Sequence, residues 1–270
     1  MYTSSLPLTR NISTTYTLSL ITAFLMTVVS VAGLIYSSSM YPIEELRHSS
    51  VATDVVNVFI VLPVLLGSMA LARRGKLIGL LFWPGAMFIV TYHYIAYTVA
   101  FMSFWQFAIY LLIVFLSGYT IYRLPSSVDS LSIQEQLTSK VPERFAGGVL
   151  AGFGILFFFW RGILVVQSIT GSAVLSKPEF VTAIADVFLA PAWVIAGTFL
   201  WQKKAFGYVA GAGLLFQLSM LFIGLFVYFA LQPVFSGVPF PVNDFVAVFT
   251  MSLVCFVPVG MFVRGILSIS

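Results

Sequence analysis

The sequence predicts an all-α integral membrane protein with about eight transmembrane helices. Sixty per cent of its 270 residues are hydrophobic and only 8% are charged, whereas about a quarter are charged in an average soluble domain. Apolar runs long enough to cross a bilayer, about 20 residues each, recur along the chain between short polar segments. Because eight such runs use up most of the chain, a separate soluble domain is not expected.

The predicted spans are bounded by charged residues, Pro or Gly. They cover residues 16–36, 51–72, 77–97, 103–122, 145–167, 180–201, 206–231 and 245–267. The first run is longer than the core of a signal peptide, about 7–15 residues, and therefore predicts a retained helix. Small residues at 30–32 leave a cleaved signal peptide as the alternative.

The basic residues predict the orientation of the spans. A cytoplasmic N-terminus leaves Arg47 and Lys177 outside and Arg161 within a span. The remaining Lys and Arg then lie on the cytoplasmic side, as the positive-inside rule requires: Arg10, Arg73, Arg74, Lys76, Arg123, Lys140, Arg144, Lys203, Lys204 and Arg264. The predicted location is the cell (plasma) membrane, with both termini in the cytoplasm.

A polar segment near the middle of the sequence predicts two halves. Residues 123–144 are interpreted as a cytoplasmic linker with a short surface helix around 130–137, between four-helix halves at 1–122 and 145–270. Four spans per half make the predicted repeats parallel. Chance similarity between membrane sequences is the alternative. A shift of 128 residues pairs Pro63 with Pro191, Lys76 with Lys204, and Gly79 with Gly207.

Polar residues inside the spans are the candidate functional residues, because ionisable groups in a bilayer are costly and mark sites. With the predicted orientation all of them fall in the outer half of the membrane, which predicts a polar pocket open to the outside. The candidate ligand-binding residues are Asp54, Asn57, Tyr92, His93, Arg161 and Asp186.

Each candidate also has a structural interpretation. Arg161 is suited to an anionic group and Asp186 to an amine, a cation or a proton. The alternative is a structural ion pair, or an Arg161 side chain that reaches the outer headgroups. Asp54 is interpreted as an acidic residue at a helix N-terminus, where it complements the helix dipole, and Asn57 as a contact between helices.

His93 is the sole histidine predicted inside a span. It is a candidate proton-transfer group, although Tyr92, Tyr94 and Tyr97 around it favour an interfacial aromatic belt. Since His48 is predicted in a loop, a haem held by two histidines is excluded. The sequence has no glycine-rich phosphate loop and no metal-ligand spacing, so no cofactor or metal is predicted.

Part of the chain resembles known sequences. Asp54 to Pro63, the turn Ala72-Arg73-Arg74-Gly75, Pro84-Gly85 and the spaced tyrosines from Tyr92 to Tyr97 are similar to a pattern in multi-pass membrane proteins of prokaryotes for which no activity is assigned. The resemblance implies a prokaryotic membrane protein and assigns no role to any residue.

Three functions remain open at this point. The first is binding or transport of a small molecule or ion through the outward-facing pocket. The second is an accessory or structural subunit without its own ligand, which contacts a partner membrane subunit or forms a homo-oligomer. The third is an intramembrane enzyme that acts on a lipid-like substrate. Membrane lipids are predicted partners; nucleic acid is not, because the basic residues serve as topology signals.

Overall fold

A computed structural model describes residues 6–237 and 239–269 and confirms the predicted fold class. The described chain is 83% helical and contains no strand. Eight of its helices are long and apolar enough to cross a membrane, which makes the chain a multi-pass membrane protein. These eight spans are Ser13–Ile35, Glu44–Arg73, Leu77–Ala100, Phe107–Arg123, Glu143–Ile169, Lys177–Trp201, Ala205–Ser236 and Val242–Leu267.

Successive spans run in opposite directions, so the bundle has two ends. At one end, called here the Glu45 end, the Lys177 backbone N–H donates to Glu45 Oε1 at 2.7 Å, and Gln106 Nε2 donates to the Met40 carbonyl. The opposite Arg73 end holds the turn 74–76, the linker and the turn 202–204. These contacts show that the loops group at the two ends in the alternating order that the sequence predicts.

The second span begins earlier than predicted. It starts at Glu44 instead of residue 51, so His48, predicted in a loop, is helical. Glu44 and Glu45 occupy its first turn, where carboxylates stabilise a helix N-terminus. The span contains a π-helical segment, Asn57–Val61, directly before Pro63. Because proline has no backbone N–H and its ring crowds the preceding turn, a widened turn at this point relieves the conflict.

The predicted linker is packed against the bundle. Its helix, Ser130–Leu137, has the predicted bounds, and the Asp129 side chain accepts hydrogen bonds from two backbone N–H groups at its start. Ile133 and Leu137 are fully buried, and the helix packs on the seventh span. Gln134 Nε2 also donates to the Lys203 carbonyl at 2.7 Å. The division into two domains is a prediction that these contacts leave open.

The third and seventh spans cross at two glycines in the centre of the fold. A Cβ on Gly85 would overlap the carbonyl of Gly213, so glycine is required for this close approach. Each of these spans starts with the same turn. Lys76 N–H donates to the Leu71 carbonyl, and Lys204 N–H donates to the Phe199 carbonyl. The shift of 128 residues relates both pairs, and the duplication itself remains a prediction.

Candidate functional site

A cavity of about 330 Å³, called here the main cavity because predicted site residues line it, lies between five spans. The second, third, fifth, sixth and seventh spans all contribute side chains to it. Polar groups line one part, and aromatic and aliphatic side chains line the rest. The polar lining comprises Ser49, Thr53, Tyr92, His93, Arg161, Glu179, Thr182, Asp186 and Tyr228; the apolar lining includes Val56, Phe157, Trp193, Leu218, Leu221, Phe222 and Leu225.

An ion pair in the lining of the cavity joins the fifth span to the sixth span. Arg161 Nε lies 3.1 Å from Asp186 Oδ2. The Tyr92 hydroxyl of the third span donates to the other carboxylate oxygen, Oδ1, at 3.0 Å. Both oxygens of Asp186 therefore have a partner, and the buried carboxylate is compensated by one cation and one phenol.

The Arg161 guanidinium retains unused hydrogen-bond donors. It stacks on the Trp160 ring at 4.5 Å from the ring centroid, which fixes its plane. Its Nε–H is not aligned for a hydrogen bond with Asp186 and has no hydrogen-bond partner among the described residues. Since the side chain lines the cavity, its terminal N–H groups are available to a molecule bound there.

His93 is held by a chain of polar side chains that leads away from the cavity. Its Nδ1 lies 2.6 Å from Asn57 Oδ1, and Asn57 Nδ2 donates to Ser30 Oγ at 3.1 Å. Ser30 Oγ also lies 3.5 Å from the Tyr94 hydroxyl oxygen. Asn57 is fully buried behind His93, so it supports the ring without lining the cavity.

Asp54 belongs to a separate buried cluster with Tyr41 and Tyr97. Both phenols donate to its carboxylate, Tyr97 at 3.1 Å. Burial and the nearby Asp54 raise the pKa of the Tyr41 phenol above its ordinary value, so Tyr41 stays protonated and donates. A Cβ on Gly33 would overlap Asp54 Oδ2 and the Tyr41 hydroxyl, and glycine therefore makes room for this cluster.

Two structural interpretations of the sequence are wrong. Asp54 does not cap a helix, because its helix begins at Glu44, ten residues earlier in sequence number, and its partners are side chains. The tyrosines do not form an interfacial belt. Tyr94 and Tyr97 are buried, and Tyr92 lines the cavity. Buried phenols need hydrogen-bond partners, and each of these three has one.

The main cavity adjoins a smaller cavity on the side of the Glu45 end, and side chains are packed on the opposite side. A smaller cavity of about 150 Å³, lined by Glu45, His48 and Phe235 among others, shares Ser49 and Pro178 with the main cavity. Trp193 lies at the inner limit, where its Nε1 donates to Gln217 Oε1 at 2.7 Å. Beyond it the third and seventh spans meet, and the Phe82 and Phe216 rings stack at 4.3 Å.

The structure thus brings four of the six predicted residues, Tyr92, His93, Arg161 and Asp186, to one cavity. Asn57 lies behind it, and Asp54 lies in the tyrosine cluster. Sequence reasoning missed Thr182, Glu179 and Trp193 in the lining, since Thr and Trp are common in membrane helices and gave no separate signal. No protein family, curated protein or solved structure matches this chain.

Proposed function

We propose that this protein binds a small molecule in the main cavity and receives it from the outer side of the cell membrane. The observation that carries the proposal is the convergence of Tyr92, His93, Arg161 and Asp186 on one cavity. A ligand site combines an apolar surface with a few oriented polar groups, and this lining has that composition. Charged groups are also rarely kept inside a membrane protein without a role.

The proposed orientation rests on the distribution of basic residues. The Arg73 end carries nearly all of the Lys and Arg, while the Glu45 end carries Arg47 and Lys177. The positive-inside rule therefore favours a cytoplasmic Arg73 end, with both termini in the cytoplasm, and an outer Glu45 end. The cavity then opens to the outside.

Binding is favoured over transport in this conformation. The Trp193–Gln217 hydrogen bond and the Gly85–Gly213 contact close the route from the cavity toward the Arg73 end. Transport would require these contacts between the sixth, third and seventh spans to separate. A role as an accessory subunit or as an intramembrane enzyme remains an alternative prediction without a specific contact in its favour.

Cysteine labelling tests the outward-facing cavity. The native Cys255 is buried and is replaced by Ala to give a cysteine-free background. Thr182→Cys then places a thiol in the cavity lining, and Ser126→Cys places one on the exposed linker surface. We expect a membrane-impermeant maleimide to label Thr182→Cys in intact cells, and to label Ser126→Cys only after the membrane is permeabilised.

Two results would contradict the proposal. If Ser126→Cys reacts in intact cells and Thr182→Cys does not, the orientation is reversed. If Thr182→Cys reacts on neither side while the variant is folded, the cavity is not reachable by water and cannot receive a ligand from the outside. A size-exclusion profile in detergent that matches the parent protein establishes that the variant is folded.

A further inference from the structure

We propose that the ligand of the main cavity is a small amphipathic carboxylate that carries a hydrogen-bond donor next to its carboxylate, as a 2-hydroxy acid does. This inference rests on the proposed function and adds the chemical class of the ligand. It follows from three properties of the lining: one cationic group with unused hydrogen-bond donors, one unused acceptor, and an apolar wall.

The unused hydrogen-bond donors in the cavity belong to a cation, Arg161. Asp186 is already paired through both oxygens, with Arg161 and Tyr92. At the mouth, Glu179 Oε2 accepts hydrogen bonds from the backbone N–H and the hydroxyl of Ser176. Arg161 lines the cavity, and its terminal N–H groups form a planar fork that matches a carboxylate. Charge-assisted hydrogen bonds of this kind are the strong ones.

A monoanion suits the site better than a dianion. The lining holds a single cationic side chain, Arg161, and that side chain already compensates Asp186. Because no second cation lines the cavity, each negative charge on a ligand adds to the cost of enclosing it, and a dianion would cost more than a monoanion. A carboxylate is therefore favoured over a phosphate monoester.

The unused acceptor is the second ring nitrogen of His93. Asn57 Nδ2 donates to Ser30 Oγ at 3.1 Å, which fixes the orientation of the Asn57 amide. Asn57 then presents its Oδ1 to His93, whose Nδ1 must carry the proton. The Nε2 lone pair remains, has no partner in the described chain, and accepts a hydrogen bond from a ligand hydroxyl.

The remaining wall fits an apolar group of moderate size. Phe157, Trp193, Leu221 and Phe222 enclose the space beside Arg161. A volume of about 330 Å³ corresponds to about eleven water molecules in the liquid. One aromatic ring with a three-carbon chain can occupy this space.

A matched set of four probes tests the ligand class. 3-Phenyllactate has the aromatic ring, the carboxylate and the hydroxyl, and 3-phenylpropanoate lacks only the hydroxyl. 3-Phenylpropane-1,2-diol lacks the negative charge. Phenethylamine carries a positive charge where the two acids carry a negative one. Binding to the purified full-length protein in nanodiscs is measured by isothermal titration calorimetry. We expect 3-phenyllactate to bind tightest, 3-phenylpropanoate about tenfold more weakly, and the other two more weakly still.

Variants assign the contacts. Arg161→Gln keeps donors and loses the charge, and should weaken both carboxylates about tenfold or more without changing the diol. Arg161→Lys retains the charge if Arg161→Gln fails to fold, and should give an intermediate loss. His93→Phe should reduce 3-phenyllactate to the affinity of 3-phenylpropanoate. Arg264→Gln, at the Arg73 end, is the matched control and should change nothing.

Ser30 is a positioning residue in this scheme, and its test uses the ratio of two affinities. Ser30→Ala removes the acceptor of Asn57 Nδ2, so the Asn57 amide is free to turn its NH2 group toward His93. The preference for 3-phenyllactate over 3-phenylpropanoate should then fall, and Ser30→Thr, which keeps the hydroxyl, should restore it. A purely structural role would weaken both probes equally.

The outcomes separate the ligand class from the proposed function. If phenethylamine or the diol binds as tightly as 3-phenyllactate, the cavity binds small molecules but the carboxylate class is wrong. If no probe binds, the class is also wrong, while labelling of Thr182→Cys still decides whether the cavity is open. 2-Hydroxypalmitate serves as a lipid-derived competitor. If 2-hydroxypalmitate displaces 3-phenyllactate at an equal or lower concentration, the ligand has the same headgroup chemistry and is a lipid.

Discussion

The second and sixth spans each bury one aspartate, and the surroundings of the two carboxylates differ. Asp54 is fully buried, has no cationic partner in the described chain, and accepts hydrogen bonds from Tyr41 and Tyr97. Asp186 is paired with Arg161 and borders the main cavity. Asp54 is therefore enclosed by protein on all sides, whereas Asp186 has a free volume next to it.

The difference shows how one residue type serves two purposes in the same membrane protein. The tyrosine cluster around Asp54 connects the start of the second span to the third span and fixes their relative position. The sixth span carries Asp186 to a cavity where a cation has donors left over. In the first case the polar groups satisfy one another, and in the second they leave capacity for a ligand.

The largest expected effect on stability is that of Asp54→Ala. It leaves the Tyr41 hydroxyl buried without an acceptor, whereas Tyr97 retains the Ser50 carbonyl at 2.8 Å. We expect the free energy of unfolding to fall by about 3 kcal/mol, since each unsatisfied buried donor costs about 1–3 kcal/mol. Denaturant unfolding of the purified protein in detergent micelles measures it.

Tyr41→Phe is the control for this prediction. It removes one donor and leaves the carboxylate with the Tyr97 hydrogen bond, so a loss of about 1 kcal/mol is expected. The double variant should lose less than the sum of the single variants, because the two side chains interact directly. Strict additivity would mean that the cluster is not the source of the stability.

A smaller loss is expected for Gly33→Ala. The added methyl group would overlap Asp54 Oδ2 and the Tyr41 hydroxyl and would force the cluster apart. Overpacking of this kind costs about 1–3 kcal/mol. Gly67→Ala is the matched control, because a Cβ at Gly67 has no atom within 4 Å. Equal midpoints of thermal unfolding for the two variants would contradict a tightly packed cluster.

The smallest loss is expected for Asp186→Ala. Arg161 is 22% exposed, so water in the cavity can solvate its guanidinium when the carboxylate is removed. We therefore expect a loss of about 1 kcal/mol or less, as for a solvated ion pair. Unfolding is measured under the same conditions as for Asp54→Ala. A loss as large as that of Asp54→Ala would show that the cavity is dry and that the ion pair is structural.

Much of the fold could be predicted from the sequence, because hydrophobic length and charge placement determine spans in a bilayer. The start of the second span was misplaced because residues 44–50 are polar, and hydropathy does not detect helix that extends beyond the membrane. The same reasoning found Arg161 and Asp186, since charge within an apolar run is conspicuous.

The separation of Asp54 from the cavity could not be predicted. It depends on Tyr41, which lies outside every predicted span, and on Gly33, which has no polar atom in its side chain and admits the cluster only by its small size. Both are tertiary effects between helices. The same holds for the connection from Ser30 through Asn57 to His93, because a serine or an asparagine in a span does not reveal which helix it faces.

The most direct test of the cavity as the binding site is a crystal structure with 3-(4-bromophenyl)lactate, located by the anomalous scattering of bromine. We expect one dominant bromine peak among Phe157, Trp193, Leu221 and Phe222, with the ligand carboxylate within hydrogen-bonding distance of Arg161. A peak confined to the lipid-facing surface, or a cavity empty at a saturating ligand concentration, would contradict the assignment of this cavity as the ligand site.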